Sequence, residues 1–305
     1  MIAFVFPGQG SQYVGMGKEL ISIAKDLFDK ASEFAGFDIY KLCNEGPTEE
    51  LQKTENTQPA ILTVSYALLR ETLRFGINPQ YVAGHSLGEY TAAVAANVLD
   101  FGDAVKIVRQ RGLLMAQAQP EGKGAMAAVL GLDDNIVKEI CKNVTAGYVD
   151  VANFNCPGQV VISGESEAVK EASEVAKQKG AKRVIMLGVS VPSHCLLMKE
   201  ASEELKEFIS QFKFNDAKIP VVTNVDAKEK SGALEIVDAL IKQLYSPVYW
   251  QDSVKYMISK GVNTFIEIGP GKVLAGLIRR IDETVKVFNI ENMNDLGKIL
   301  NNVEL

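Results

Sequence analysis

Histidine is scarce in this chain of 305 residues, which carries only two, and its four cysteines lie far apart. Cys43, Cys141, Cys156 and Cys195 form no C-x-x-C pair, which argues against both a structural zinc site and a disulfide framework. No apolar run approaches the length of a membrane span. The apolar start, Ile2 to Phe6, is too short for a secretory signal and has no basic flank. Basic residues are not in excess: a net charge of -6 and a pI near 5.2 argue against nucleic acid or an anionic membrane as a partner. Internal repeats and low-complexity segments are also missing. What remains, 47% hydrophobic and 23% charged, is the composition of a globular enzyme of one large or two modest domains, expected in the cytoplasm.

Hydrophobic periodicity divides the chain into two textures. Ile2 to Phe6 reads as a buried strand. It is followed by a helix with Leu20, Ile23, Ala24, Leu27 and Ala31 on its inner face. Thr57, as N-cap with Pro59 just inside, is expected to open a second helix that Gly76 closes. Tyr81 to Ala83 reads as a strand before a small-residue helix, and Asp100 caps a helix to about Ala118. From Ala125 to Leu187 the order is β-α-β-β-α-β, the ferredoxin-like unit, flanked by glycine-bearing joints. After it a helix is expected from His194 to Phe212, and α/β alternation resumes to Phe288. Alternation of this kind implies a mostly parallel sheet with helices on both faces. The predicted organisation is a discontinuous large α/β domain, residues 1–123 and 190–305, with a small ferredoxin-like domain, 124–189, inserted.

The chemistry concentrates in Gly84-His85-Ser86-Leu87-Gly88, which fits the G-x-S-x-G nucleophile elbow between a strand and a helix. So sharp a turn strains the serine backbone and needs neighbours without Cβ atoms. A serine nucleophile needs a base. His85, adjacent to Ser86, points in a different direction, which leaves His194. In the expected helix, His194 is in phase with Met198, Ala201 and Leu205, with Ser193 as N-cap, and the helix dipole would keep its imidazole neutral.

Arg111 falls on the apolar stripe of its helix with Ile107, Val108, Leu114 and Met115, whereas Arg109 points off it toward solvent. A buried arginine must be paired, either by a structural Asp or Glu or by an anion arriving with the substrate. Gly8-Gln9-Gly10 follows the first strand at the sheet edge where α/β proteins bind ligands. Its spacing fails the dinucleotide fingerprint, and Gly269-Pro270-Gly271-Lys272 lacks Walker spacing. A backbone N–H of Gln9 in an oxyanion hole is the functional alternative to a plain turn.

An ordered set of motifs then carries a resemblance. It comprises Phe6-Pro7-Gly8-Gln9-Gly10-Ser11-Gln12, Gly84-His85-Ser86-Leu87-Gly88-Glu89-Tyr90, Gln110-Arg111-Gly112, Asn153-Phe154-Asn155-Cys156-Pro157-Gly158-Gln159, Val191-Pro192-Ser193-His194, Gln243-Leu244-Tyr245-Ser246-Pro247-Val248 and Glu267-Ile268-Gly269-Pro270-Gly271. Together they resemble the malonyl-CoA:acyl carrier protein transacylases, the stand-alone acyltransferases of type II fatty-acid synthesis. The resemblance implies an α/β-hydrolase-like large domain, Ser86 as nucleophile and His194 as base. It implies an oxyanion hole from the Gln9 and Leu87 amides, Arg111 binding the malonyl carboxylate, and Gln243 orienting His194 through its carbonyl. His85 and Asn155 are expected to line the pocket, the latter from a loop between two strands that closes over the acyl group. Leu87 and Ser193 resemble malonyl- rather than methylmalonyl-selective members.

Malonyl-CoA and acyl carrier protein are the implied partners, with no metal or other cofactor. Lys182-Arg183, Lys272 and Arg279-Arg280 are candidates for docking an acidic carrier. Two rivals are a serine hydrolase or thioesterase, with Asp150 or Glu165 as triad acid, and a non-catalytic module binding carrier or CoA. The first leaves a buried Arg111 without purpose on a neutral ester. The absence of any Asp-Gly dipeptide removes the patatin-like serine–aspartate variant.

Overall fold

The strand β1 (Ile2–Phe6) lies inside a six-stranded sheet, and all of it beyond Ile2 is buried. Its unbroken apolar run suits a strand covered on both faces. The computed structural model describes residues 1–120, 122–188 and 191–302. The other strands are β2 (Tyr81–Gly84), β3 (Gly124–Leu130), β4 (Val149–Cys156), β5 (Gln159–Glu165), β6 (Arg183–Met186), β7 (Val221–Val222), β8 (Glu229–Lys230), β9 (Thr264–Ile268) and β10 (Lys286–Ile290). In the larger sheet the order is β10-β9-β1-β2-β7-β8, parallel throughout except for the edge pair β7–β8. Phe6 pairs with Gly84, so β1 and β2 end level. The Gly8–Gln12 loop and the serine turn therefore emerge side by side at the carboxyl edge of the sheet, where ligands of open α/β sheets bind.

The second sheet is antiparallel, with order β4-β5-β3-β6. Helices Asp134–Asn143 and Ser166–Gln178 pack on it through Val137, Ile140, Ala168 and Val169, forming a separate core with Val129 and Ile162. Chain order and strand order together make this the ferredoxin-like unit predicted from the sequence. Backbone bonds tie it to the rest of the molecule: Phe154 N–H donates to Val248 O at 2.9 Å, Val248 N–H to Ala152 O at 2.8 Å, and Ser166 N–H to Lys123 O at 2.8 Å. The predicted return to the large domain, between 189 and 190, lies outside the described residues.

Several predicted boundaries shift. The second long helix runs Thr54–Arg74; Thr57 is buried inside it and donates its hydroxyl to Leu51 O instead of capping. On helix Ile21–Ala35, Ile23 faces outward, and Phe28 takes the inner stripe with Ala24, Leu27 and Ala31. Short helices Ile39–Glu45 and Thr48–Gln52, strand β8 and the helix Met293–Asn302 were not anticipated. Asp100 does cap helix Phe101–Gln117, accepting from Gly102 N–H at 2.8 Å. That helix packs on Thr54–Arg74, which carries Arg111 into the interior. No helix among the described residues is long and apolar enough to cross a membrane.

Candidate active site

Ser86 sits between β2 and helix Gly88–Ala95 with a φ of 51°, a left-handed conformation costing a non-glycine residue about 1–3 kcal/mol. The flanking glycines make the turn possible. A Cβ on Gly84 would lie 1.8 Å from the carbonyl carbon of Gly88, and one on Gly88 would lie 2.0 Å from Phe6 O. Asn224, just after β7, secures the turn by accepting from Ser86 N–H at 2.8 Å and donating to Gly84 O at 2.6 Å.

His194 does not occupy the first turn of a helix. Its φ is 61°, and it precedes a 3-10 turn, Leu196–Met198, and the helix Lys199–Ile209, so Ser193 caps nothing. Its amide is held by Leu244 O at 3.0 Å. The imidazole spans two partners, with Nε2 2.8 Å from Ser86 Oγ and Nδ1 2.7 Å from Gln243 O. A carbonyl can only accept, so the proton lies on Nδ1 and Nε2 faces the serine hydroxyl as an acceptor. Burial, reinforced by the Arg111 guanidinium, pushes this imidazole down to about 3. Neutrality therefore comes from desolvation and a neighbouring cation, where the sequence had suggested a helix dipole.

Arg111 is buried, and its partners are all neutral. Nη1 donates to Gln58 Oε1 at 2.7 Å; Nη2 donates to Ser86 Oγ at 3.1 Å and to Gln243 Oε1 at 3.0 Å. No Asp or Glu among the described residues forms an ion pair with it, and Nε has no hydrogen-bond partner there. Of the two ways to pair a buried arginine, the direct structural carboxylate is thus not the one used. Arg109 is half-buried, donating to Asn56 Oδ1 at 2.7 Å and lying over the Phe37 ring.

Ser86, His194, Arg111, Gln9, Leu87 and His85 line one cavity of about 620 Å3. The amides of Gln9 and Leu87 have no hydrogen-bond partner among the described residues. Unspent N–H groups on two residues that line the serine's cavity suit an oxyanion. His85 bonds Asn155 Oδ1 through Nε2 at 2.9 Å and meets Trp250 edge-on, leaving Ser86 to His194. Asn155 lies within β4 and not in a strand-joining loop; it lines an adjoining cavity of about 570 Å3 with Gln9 and His85. Asp150 and Glu165 make no bond to His194; Glu165 accepts from Tyr148 N–H at 3.0 Å. Among the basic docking candidates, Arg280 donates to Gln159 Oε1 at 2.6 Å, and Gln159 lines the second cavity.

Three buried residues of this constellation escaped the sequence reading. Gln58 precedes Ile61 and Leu62 by three and four positions, a polar residue on an apolar stripe, so the criterion that found Arg111 would have found it. Asn224 and Glu89 carry no comparable signal, one lying in a loop and the other in a helix buried all round. Gln243 ends helix Ala233–Lys242, and its burial follows from the turn after it.

A serine hydrogen-bonded to a neutral imidazole, with two free amides and a buried guanidinium around it, is the equipment of a serine acyltransferase. The chain belongs to the acyl transferase domain family, whose family model matches residues 3–304. It is 50% identical over 296 residues to the malonyl CoA-acyl carrier protein transacylase of Bacillus subtilis (strain 168), spanning 95% of this chain and 93% of that one. The protein of the same description from Escherichia coli (strain K12) is 50% identical over 288 residues, 93% of each. Among solved structures, a malonyl-transacylase in complex with a type II PKS acyl-carrier protein superposes with a TM-score of 0.96 at 45% identity, covering 99% of both chains. An acyl carrier protein S-malonyltransferase from Vibrio cholerae gives a TM-score of 0.95 at 46% identity, covering 98% of this chain and 99% of that one.

Proposed function

We propose that this protein transfers a malonyl group from malonyl-CoA to the phosphopantetheine thiol of acyl carrier protein, through a malonyl ester on Ser86, supplying extender units for fatty-acid synthesis. The observation that carries it is a buried guanidinium, with no carboxylate bonded to it among the described residues, 3.1 Å from a serine that is itself 2.8 Å from a neutral imidazole. An acyl group whose far end is a carboxylate completes that site, because a planar fork can hold it bidentately.

In the first half-reaction the Ser86 proton moves to His194 Nε2 as Oγ attacks the thioester carbonyl. The amides of Gln9 and Leu87 hold the oxyanion, each such donor being worth about 3 kcal/mol. The C–S bond breaks, and the Nε2 proton passes to the departing CoA sulfur. In the second, the carrier thiol gives its proton to Nε2, its sulfur attacks the malonyl ester, and Ser86 recovers the proton. The malonyl carboxylate also offsets the Arg111 charge that disfavours imidazolium, so the correct substrate makes His194 a better base. Proton and electron counts close with the Ser–His dyad and the two thiols, so the reaction calls for no metal or other cofactor. Residues 1–123 and 190–305 act as the catalytic domain and 124–189 as a domain closing one side of the site, in a cytoplasmic enzyme.

A thioesterase with a conventional acid is less favoured, because Nδ1 of His194 is occupied by the Gln243 carbonyl and neither Asp150 nor Glu165 bonds to it. Intact mass measurement after brief mixing with malonyl-CoA tests the proposal. A malonyl adduct is expected on the wild type and none on Ser86→Ala; an adduct retained in that variant, on Cys195 beside His194 for example, would refute it.

A further inference from the structure

We propose that Glu89 is a positioning residue for the acyl transfer, acting through the Gln243 side chain on both Arg111 and His194. The inference rests on the malonyl-transfer function above. Glu89 is fully buried in the first turn of helix Gly88–Ala95, three residues after the serine, and touches neither cavity. Its Oε2 accepts from Gln243 Nε2 at 2.6 Å and from Asn224 N–H at 3.2 Å. The same Nε2 donates to Ser86 O at 2.9 Å, while Gln243 Oε1 accepts from Arg111 Nη2 at 3.0 Å. A carboxylate facing Nε2 fixes which way this amide points, since the flipped amide would set oxygen against oxygen and nitrogen against guanidinium. The backbone carbonyl of Gln243 meanwhile holds His194 Nδ1 at 2.7 Å. One residue thus anchors both the base and the substrate-binding cation, and Glu89 clamps that residue.

The carboxylate is retained at a cost that packing alone would not favour. Glu89 Oε1 has no hydrogen-bond partner among the described residues, and a buried, half-satisfied charge is expensive. Burial pushes its pKa up to about 7, against the opposing pull of Gln243, Asn224 and Arg111. The other charged group acting on it is Asp226, after β7, which pushes the same way as burial; Tyr90 beside it is a phenol. Protonation of Glu89 would remove the fixed acceptor and the counter-charge together. Activity should therefore fall as pH drops through about 7, well above the range where His194 itself titrates.

The test is the single-turnover rate of Ser86 malonylation by malonyl-CoA across about pH 5 to 9. Glu89→Gln keeps the shape and loses the charge. Expected is a rate roughly 10- to 100-fold lower at about pH 8, the scale of a displaced reacting group. Half-saturation should change less than about threefold, and the acidic limb expected of the wild type should be lost. A merely structural glutamate would move melting temperature but leave that limb in place. Wild-type rate and limb in a folded Glu89→Gln would overturn the inference while leaving the function intact, whereas no adduct on wild type would sink the function itself. If Glu89→Gln does not fold, Glu267→Gln decides, because Glu267 is the other buried carboxylate with a raised pKa, about 7, among the described residues, and makes no bond to the serine, histidine or arginine. The limb should survive in that variant; its disappearance would assign it to Glu267 and overturn the role of Glu89.

Discussion

His194 Nδ1 lies 2.7 Å from the backbone carbonyl of Gln243, a neutral acceptor in the place where serine hydrolases put a carboxylate. The carbonyl fixes the tautomer without supplying a full negative charge, so its hydrogen bond only partly counters the burial and the guanidinium that hold the imidazole down to about 3. Because this folded-state pKa is depressed, its contribution to stability is present above the ordinary histidine value and is lost as pH falls toward about 3. Nitrogen NMR of the two ring systems should show His194 neutral, with its proton on Nδ1, down to about pH 5. An imidazolium signal for His194 near pH 6 would contradict this environment.

His194→Ala should slow both half-reactions by roughly 10²–10⁴-fold, the usual contribution of a general base. Rapid-quench measurement of Ser86 malonylation, followed by transfer to carrier protein, separates the two. Wild-type acylation in that variant would make His194 structural.

Asn155 accepts from His85 Nε2 at 2.9 Å, across the seam between the small sheet and the elbow. Asn155→Ala leaves a half-buried imidazole N–H without its partner, at a cost of about 1 kcal/mol, and frees a ring that lines both cavities. Since neither residue bonds to Ser86, KM for malonyl-CoA should rise several-fold with kcat little changed. Equal kinetics in wild type and variant would remove the His85–Asn155 pair from the substrate's path.

Glu267 accepts from Leu274 N–H at 3.1 Å and Ala275 N–H at 2.7 Å, tying the end of β9 to helix Val273–Ile281. Burial nevertheless pushes its pKa up to about 7. A raised carboxylate pKa means stability is greatest below the unfolded value and is lost as pH rises through about 7. Glu267→Gln keeps one acceptor and removes the titration. Its melting temperature should therefore decline less than that of wild type between about pH 4.5 and 7. Parallel declines would contradict a buried, perturbed Glu267.

Much of this was legible in the sequence where a local rule had only one solution. Two glycines flanking Ser86 between a strand and a helix can make only a sharp turn, and the structure gives the reason in the Cβ clashes at Gly84 and Gly88. Arg111 was legible because helical periodicity puts it among Ile107, Val108, Leu114 and Met115. His194 was found by elimination, but its setting was misjudged: apolar periodicity carried the helix back to a residue whose φ of 61° excludes it. Glu89, Asn224 and the side chain of Gln243 meet from three distant segments, and no periodicity within one segment encodes such a meeting.

The most direct measurement is the ratio of kcat/KM for malonyl-CoA over acetyl-CoA in wild type and in Arg111→Ala. Loss of the bond from Nη2 to Ser86 Oγ, 3.1 Å long, affects both substrates and cancels in that ratio. What does not cancel is the malonyl carboxylate, left desolvated without its partner, and the acetyl group, no longer required to leave a guanidinium buried and unpaired. Truncating one member of a buried charge pair costs about 2–5 kcal/mol, so the ratio should fall by roughly 30-fold to several thousand-fold, toward acetyl. An unchanged ratio in a stably folded variant would contradict the proposal that this site selects its substrate by the charge on the acyl group.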